Sequence, residues 1–355
     1  MKILQLNFER GWRGGERQTL LCMEQFRRAG HQVVLLARAG GELAARAKEA
    51  GFLVHERSNI GGVCRLLLSQ GRRFDIVHAQ TANMVTWLAL FRVWLGRRVV
   101  FTRRTAFPVP PRRQRRTLWK WKHVDILVAI SQAAAAEPRR LGLQVSLIPS
   151  AIEAKLLDLD HTRAFAEQFN LSGRRMLATA ASLTIDKDPC TLVRAVHALR
   201  QLRDDFIFLH LGAGGDAEAD ARALVRELGL EQTYVFAGFQ TGVEDLYRLM
   251  DVFVLSSREE ALGSSVLDAF LYSVPVVATD AGGLKEILAG GRGQLCPVGD
   301  HQALADAMHR VLSDRGLRAD MTEKARQYVL QEHDPQVMGE RYLAEFERLV
   351  GEAKG

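Results

Sequence analysis

Between residues 256 and 283 the chain reads SSREEALGSSVLDAFLYSVPVVATDAGG. Two carboxylates, Glu260 and Asp268, stand eight positions apart, with Gly263, Ser264 and Ser265 between them. Small polar residues ahead of an apolar run mark a helix start. The unpaired N–H groups there, with the positive end of the helix dipole, form a seat for a phosphate. Ser264 and Ser265 are expected to cap this helix. Asp268 falls about one turn in, where its carboxylate could accept two hydrogen bonds from a ribose-like diol. Glu260, ahead of the turn, would face the group beyond the phosphates. A helix-start aspartate and a solvated loop glutamate would also account for both residues without a ligand.

These residues need a strand before them and a helix after them, and the chain supplies both repeatedly. KILQLNF, QVVLLAR, DIVHAQ, RVVFTRR, DILVAIS and VSLIPS are short apolar runs separated by segments of helical spacing such as ERQTLLCMEQFRRAG. After the polar stretch AIEAKLLDLDHTRAFAEQFNLSGRR the alternation restarts with RMLATAAS, FIFLHLGAG, TYVFAGF, DVFVLSS and VPVVATD. Alternating strands and helices predict an α/β fold of two doubly wound, Rossmann-like domains, with parallel sheets covered on both faces. The expected domains are 1–165 and 166–335, followed by a C-terminal amphipathic helix over 336–355. In such sheets ligands bind beyond the carboxyl ends of strands, and the Glu260 loop is such a place.

With 355 residues, 47% of them hydrophobic, the chain can build a large core for two domains. Cys22, Cys64, Cys190 and Cys296 are scattered, which suggests reduced thiols in the cytoplasm and neither zinc nor disulfides. The start lacks the apolar region and cleavage site of a signal peptide. The run MVTWLALFRVWLG is too short to span a bilayer. The charge is uneven: Arg97 to Lys122 holds ten basic residues and no acidic one, so removing it turns the net charge of +7 into −3 (7 − 10).

The stretch SREEALGSSVLDAFLYSVPVVATDAGGLKEIL resembles the signature of retaining glycosyltransferase family 4. Further segments agree in order: RGGERQTLL with that family's glycine-rich first loop, DIVHAQ and DILVAIS with its first-domain strands, and LIPSAIE with its linker. SLTIDKDPCTLVRAV is similar to its phosphate-binding segment, and LHLGAGGDAEADARALVRELGL with VFAGF to its nucleotide side. The resemblance covers nearly the whole chain. It implies a glycosyltransferase B-type fold, two domains facing across a cleft, with a nucleotide-diphosphate sugar held mainly by the second and no cofactor.

By matching position, Glu260 would contact the transferred sugar, Lys187 the diphosphate and Asp268 the ribose. The backbone at Leu262 and Gly263 would bind sugar hydroxyls, that at Ser264 and Ser265 the phosphate, and Phe239 would lie beside the base. Gly14 and Gly15 would let the first domain approach the donor phosphates. Gly212 and Gly214 are read either as part of this nucleotide side or as an ordinary strand-to-helix turn. Lys187 and a helix N-terminus would meet the charge of the departing phosphate without a metal, since no Asp-x-Asp pair is read as placed for magnesium. Retention implies front-side attack, with the leaving phosphate taking the acceptor's proton; a covalent intermediate on Glu260 is the other route open.

The chain departs from the family at Asp268, where glutamate is usual, at Ala261, and at Ser182, where many members carry arginine. The histidine often found after a first-domain strand is replaced by Arg103 or Arg104. His78 is read as a satisfied strand-end histidine. Arg103, Arg104, Arg112, Arg113, Arg115 and Arg116 with Trp119 and Trp121 suggest an acceptor or membrane surface, since indoles and cations suit an anionic interface. The expected acceptor is a glycolipid or oligosaccharide such as a lipopolysaccharide core, at the inner face of the cytoplasmic membrane. A solvated basic face and nucleic acid are the less favoured readings of the same charge. The other functional readings are a noncatalytic nucleotide-sugar or glycan-binding protein and, more weakly, a nucleotide-sugar epimerase on this architecture.

Overall fold

The computed structural model describes residues 1–96 and 98–352; Arg97, where the basic segment begins, lies outside them. The chain separates into two units. One comprises Met1–Ala151 with the C-terminal stretch from Glu332, the other Ile152–Gln331.

In the first unit the described residues form one parallel sheet of seven strands: β1 (Lys2–Asn7), β2 (Gln32–Arg38), β3 (Leu53–Arg57), β4 (Ile76–Ala79), β5 (Val99–Arg103), β6 (Ile126–Ala129) and β7 (Ser146–Leu147). Their spatial order is β3-β2-β1-β4-β5-β6-β7. The second unit has six: β8 (Arg175–Ala180), β9 (Phe206–Leu211), β10 (Tyr234–Gly238), β11 (Met250–Leu255), β12 (Val276–Thr279) and β13 (Gln294–Cys296), in the order β10-β9-β8-β11-β12-β13. The order reverses between β1 and β4, and again between β8 and β11. At such a switch point the loops leaving two neighbouring strands diverge and open a crevice. In the second unit the diverging loops carry Lys187 and Glu260.

The central strands are buried on both faces, so they read as continuous apolar runs; β4, β5, β6, β9 and β12 are buried throughout. Two strands escape such a reading, LVHER (β3) and QLC (β13), and both are sheet edges. An edge strand is covered incompletely and carries polar residues, so it lacks the signal.

The units divide at Ala151 and Ile152, not near residue 165. The helix Leu159–Gln168 belongs with the second unit because Asp245 anchors its start. Asp245 accepts from the Asp158 N–H at 2.9 Å and pairs with His161 at 2.9 Å. The C-terminal helix Pro335–Glu352 packs in the first unit against the helix Gly14–Arg28. Met338, Tyr342, Phe346 and Leu349 form its buried stripe, and Phe26 meets the rings of Tyr342 and Phe346 edge-on at 6.0 and 5.4 Å. Gly339 permits the close approach: a Cβ there would stand 2.7 Å from Gln25 Cβ.

No described helix is long and apolar enough to cross a membrane. The run 84–96 is divided between the helices Ala82–Leu90 and Arg92–Leu95. All four cysteines are free thiols, Cys22 and Cys296 buried.

Candidate functional site

In the second unit, three short segments converge at the carboxyl ends of β8 and β11. After β8 the chain makes a single 3-10 turn, Ile185–Lys187, then starts the helix Pro189–Arg200. Asp188 makes the corner in a left-handed conformation, φ 47°. It caps the helix by accepting from the Thr191 N–H and hydroxyl at 3.3 and 2.8 Å. Asp188 is also paired with Arg258 at 2.8 Å. The Ser256 hydroxyl, at the end of β11, bridges the Lys187 and Asp188 carbonyls at 2.9 and 3.0 Å, and the Arg258 N–H donates to the Asp186 carbonyl at 2.8 Å. The Lys187 corner is thus sewn to the Glu260 loop through backbone and buried polar groups. Its result is an ion pair between Lys187 and Glu260, each largely shielded, with the Lys187 ammonium on Glu260 Oε2.

Asp188, Ser256 and Arg258 had no place in the sequence reading. The signal for Asp188 was present: an aspartate directly before a proline is a helix cap followed by proline at the first helical position.

The helix after the Glu260 loop spans Ser264–Leu271. Its cap is Gly263, φ 93°, so Ser264 and Ser265 are the first two helical residues and not the caps. A left-handed corner replaces the side-chain cap, a conformation that favours glycine, and a Cβ at Gly263 would stand 2.7 Å from Leu284 Cδ2, which would have to shift. The N–H groups of Ser264 and Ser265 lie in the first turn, where no intrahelical acceptor exists, and remain aimed out of the helix end. Leu262, the residue before that corner, is buried. Asp268 is buried on the same helix, one turn in.

The double glycine after β12 supports the loop from beneath. The Gly283 N–H donates to the Glu260 carbonyl at 2.9 Å. Gly282 has φ 47°, and a Cβ there would run into the Glu260 carbonyl; one on Gly283 would stand 2.8 Å from Leu262 Cα. The loop after β9 does the same for the Lys187 segment: a Cβ on Gly212 would collide with the Ala181 carbonyl, whereas one on Gly214 would meet nothing. Gly212 therefore answers to packing, and Gly214 only to its positive φ of 73°. Phe239, directly after β10, is 70% exposed, a large aromatic ring left in solvent. Ser182 is exposed and 3.4 Å from the Thr184 hydroxyl. Among the described residues no group of three or more His, Cys, Asp or Glu is placed to hold a metal ion.

Two buried histidines are held neutral. His210 meets the Ala181 carbonyl through Nε2 at 3.1 Å, and a carbonyl only accepts, so Nε2 carries the proton and Nδ1 accepts from the Tyr234 hydroxyl at 2.7 Å. His78, in β4, has Gln5 and Gln80 amide groups at Nδ1 and the Thr102 hydroxyl at Nε2, 2.8 Å away. Burial lowers their pKa values to about 4 and about 3. The unfolded chain, titrating near 6.5, binds more protons than the native one below that pH. The stability these histidines contribute is therefore complete above about pH 6.5 and is lost as pH falls toward 4 and 3. Thermal unfolding followed from pH 7.5 to 4.5 is expected to show a falling midpoint, with a slope of up to about 1.4 kcal/mol per pH unit per histidine. His210→Gln should flatten that slope; an unchanged slope would remove His210 from the account.

In the first unit, His78 is a satisfied core residue, its ring 5.3 and 5.6 Å from those of Tyr342 and Phe346. Two residues expected at an acceptor or membrane surface are not on it. Arg103 is buried, donating to the Ala134 carbonyl at 2.8 Å and the Phe107 carbonyl at 2.5 Å, because it ends a central strand and has to satisfy loop carbonyls. Trp121 is buried beneath it, ring centroid 5.3 Å from the guanidinium. Both hold the base of the helix Pro111–Lys122. That helix exposes Arg112, Arg113, Arg115, Arg116 and Trp119. Lys120 has its pKa lowered, first by burial and then by repulsion from Arg116 and Arg113. Gly14 and Gly15 open the helix Gly14–Arg28 after β1, Gly14 exposed.

These two switch-point sheets, with a cation–carboxylate pair beside a helix N-terminus in the second, agree with two family descriptions. "Glycosyl transferases group 1" matches residues 161–328 and "Glycosyltransferase Family 4" matches residues 12–156. The chain belongs to the group 1, family 4 glycosyltransferases. It is 33% identical over 127 residues to the N-acetyl-alpha-D-glucosaminyl L-malate synthase of Bacillus anthracis, covering 36% of this chain and 32% of that protein. It is 27% identical over 154 residues to the lipopolysaccharide core biosynthesis glycosyltransferase LpsE of Rhizobium meliloti, covering 43% and 44%. The mannosyltransferase LpsB of the same organism is 36% identical over 101 residues, 28% and 29%. The matched stretches thus span less than half the length of these relatives. Among solved structures, Anabaena HepE in complex with UDP and glucose superposes with a TM-score of 0.86 at 19% identity, covering 98% of this chain and 99% of that one. A glycosyltransferase from Rickettsia africae gives 0.84 at 19%, covering 98% of each. The fold is the glycosyltransferase B-type.

Proposed function

We propose that the chain is a retaining transferase that moves a sugar from a nucleoside-diphosphate sugar, held by its second unit, to a cell-envelope glycan or glycolipid of the lipopolysaccharide-core kind. The observation that carries this reading is the Lys187–Glu260 pair beside the open N-terminus of the helix Ser264–Leu271. The bond that breaks joins the anomeric carbon to a phosphate oxygen, so negative charge grows on the diphosphate. Lys187 and the N–H groups of Ser264 and Ser265 meet that charge with preorganised donors, in place of a metal. The acceptor oxygen bonds to the anomeric carbon and its proton passes to the leaving phosphate. Glu260 positions the sugar and balances positive charge on its ring. Asp268 receives the ribose, Phe239 stacks on the base, and the backbone of Leu262 and Gly263 contacts sugar hydroxyls.

The exposed helix face of Arg112, Arg113, Arg115, Arg116 and Trp119 is assigned to an anionic acceptor or membrane surface. Four cations in the first turns oppose the helix dipole and repel one another, a cost that a polyanionic partner would offset. On this reading the protein works in the cytoplasm, at the inner face of the membrane, and its basic face serves an anionic glycolipid surface in preference to nucleic acid. The curated relatives with lipopolysaccharide-core names favour this acceptor class.

Binding and slow hydrolysis of UDP, GDP, ADP and CMP sugars, on wild type and Lys187→Ala, test the donor half. One nucleotide sugar is expected to bind and turn over. Lys187→Ala should weaken it about 10- to 100-fold, the loss of a charge-assisted phosphate contact. If none binds, the noncatalytic glycan-binding reading takes its place.

A further inference from the structure

We infer that the first unit contains an anion site of its own, centred on Arg104, that takes a phosphate or carboxylate group. Arg104 directly follows β5, at the carboxyl edge where the sheet order reverses between β1 and β4. It is half-buried, and among the described residues no carboxylate lies within ion-pair distance of it. Its contacts are neutral: one terminal nitrogen donates to the Ser150 hydroxyl at 3.0 Å, the other to Gln80 Oε1 at 2.7 Å, and its Nε–H is buried without an acceptor. The nearby carboxylate of Glu16 is buried and occupied by the Asn7 amide and the Arg13 N–H, each at 3.1 Å. Arg104's charge is left uncompensated and reaches the buried groups around it: burial raises the pKa values of Cys22 and Tyr342 and lowers that of His78, and Arg104 opposes the first two shifts and adds to the third. A partly buried cation without a counter-charge is a standing cost to the free protein, one that a bound anion removes.

The guanidinium is also held in place by design of the core. Gln80 turns its oxygen to Arg104 because its Nε2 donates to Gln5 Oε1 at 2.9 Å, and the Gln5 amide is in turn held by His78 at 3.2 Å. Gln5, Gln80 and His78 are all buried, so a relay of three side chains sets the direction of one cation. Beside it begins the fifteen-residue helix Gly14–Arg28. A Cβ at Gly15 would stand 3.9 Å from Arg104 Cδ, an ordinary contact, so packing does not demand glycine there. Its bareness leaves the first N–H groups of the helix open on the Arg104 side. Guanidinium and helix terminus together are complementary to an oxyanion.

The site itself does not depend on the transferase reading; only the source of the anion does, the donor's diphosphate or a phosphate or carboxylate on the acceptor. The test uses the full chain. Inorganic phosphate is titrated calorimetrically, at constant ionic strength, into Lys187→Ala, which disarms the second unit's phosphate seat, and into Lys187→Ala with Arg104→Gln. Addition of Arg104→Gln is expected to weaken phosphate at least about tenfold. Without phosphate, its unfolding temperature should be no lower than that of its parent, since an unpaired charge has been removed. Equal phosphate affinity in the two proteins, or no phosphate binding to Lys187→Ala, overturns the site. So does a lowered unfolding temperature accompanied by unchanged affinity, which makes Arg104 a packing residue. Nucleoside diphosphate is titrated into wild type and Arg104→Gln to identify the source: weakened binding assigns the anion to the donor, unchanged binding to the acceptor. A failure of the transferase reading shows separately, as absence of nucleotide-sugar binding in wild type.

Discussion

Glu260→Gln is expected to lower sugar transfer by about 10²- to 10³-fold and, at the same time, to strengthen the binding of the bare nucleoside diphosphate. In the free protein the Lys187 ammonium is occupied by Glu260 Oε2. A diphosphate that approaches Lys187 has to share it with this carboxylate and tolerate its negative charge. The amide keeps the size of glutamate but removes its charge and turns one acceptor oxygen into a donor, so the hold on Lys187 weakens and a repulsion disappears. Turnover falls for the converse reason: the neutral amide no longer balances positive charge on the sugar ring. Calorimetric titration of the nucleoside diphosphate, beside steady-state transfer with the donor that wild type accepts, separates the two effects. A weaker diphosphate complex would show that Glu260 does not compete for Lys187. Unchanged turnover would take Glu260 out of the chemistry.

Gly283→Ala is expected to cost about 100-fold in turnover although residue 283 carries no functional group. Its Cβ would press on the backbone of Ala261 and stand 2.8 Å from Leu262 Cα, both parts of the loop that carries Glu260. These are main-chain atoms, and a side-chain rotation cannot relieve the overlap, so the loop itself has to move. The Gly283 N–H bond to the Glu260 carbonyl, 2.9 Å, would stretch with it. A displacement of about 1 Å at a reacting group is enough for a 10²-fold loss, and overpacking of this kind destabilises by about 1 to 3 kcal/mol. Transfer and thermal unfolding measured on the same preparation check both parts. A Gly283→Ala protein with wild-type turnover would show that the loop tolerates the shift. A Gly214→Ala control, where the new Cβ meets nothing, should leave turnover close to wild type despite backbone strain at φ 73°.

The legibility of this chain follows burial. Interior strands such as VVFTR and FIFLHL are buried at every position and are therefore apolar at every position. The edge strands LVHER and QLC carry no such pattern because only part of each is covered. Within the site, Glu260, Lys187 and the small-residue turn could be singled out by type and spacing. The cap could not: Ser264 and Ser265 are favoured cap residues, but the chain reverses at Gly263 with φ 93°. Packing against Leu284 and Ile287 decides that geometry. Arg103 and Trp121 looked like surface because they lie in a basic run, yet the end of β5 draws both inward.

The sequence by itself determined the class of fold, the succession of the interior strands, the glycosyltransferase resemblance and the residues able to handle a phosphate. Those properties depend on local composition and on spacing along the chain, which folding does not alter. Only the tertiary structure decided that Lys187 and Glu260, 73 positions apart, form one ion pair. It also decided that Asp188, Ser256 and Arg258 join the loops that hold them, and that Arg104 rather than Arg103 keeps an unanswered charge. Each of these is a distance between residues remote in sequence, set by the parallel pairing of β8 with β11 and of β1 with β4. Parallel neighbours are joined through long crossovers, so the residues that meet at their ends carry no mark of that meeting in the order of the chain.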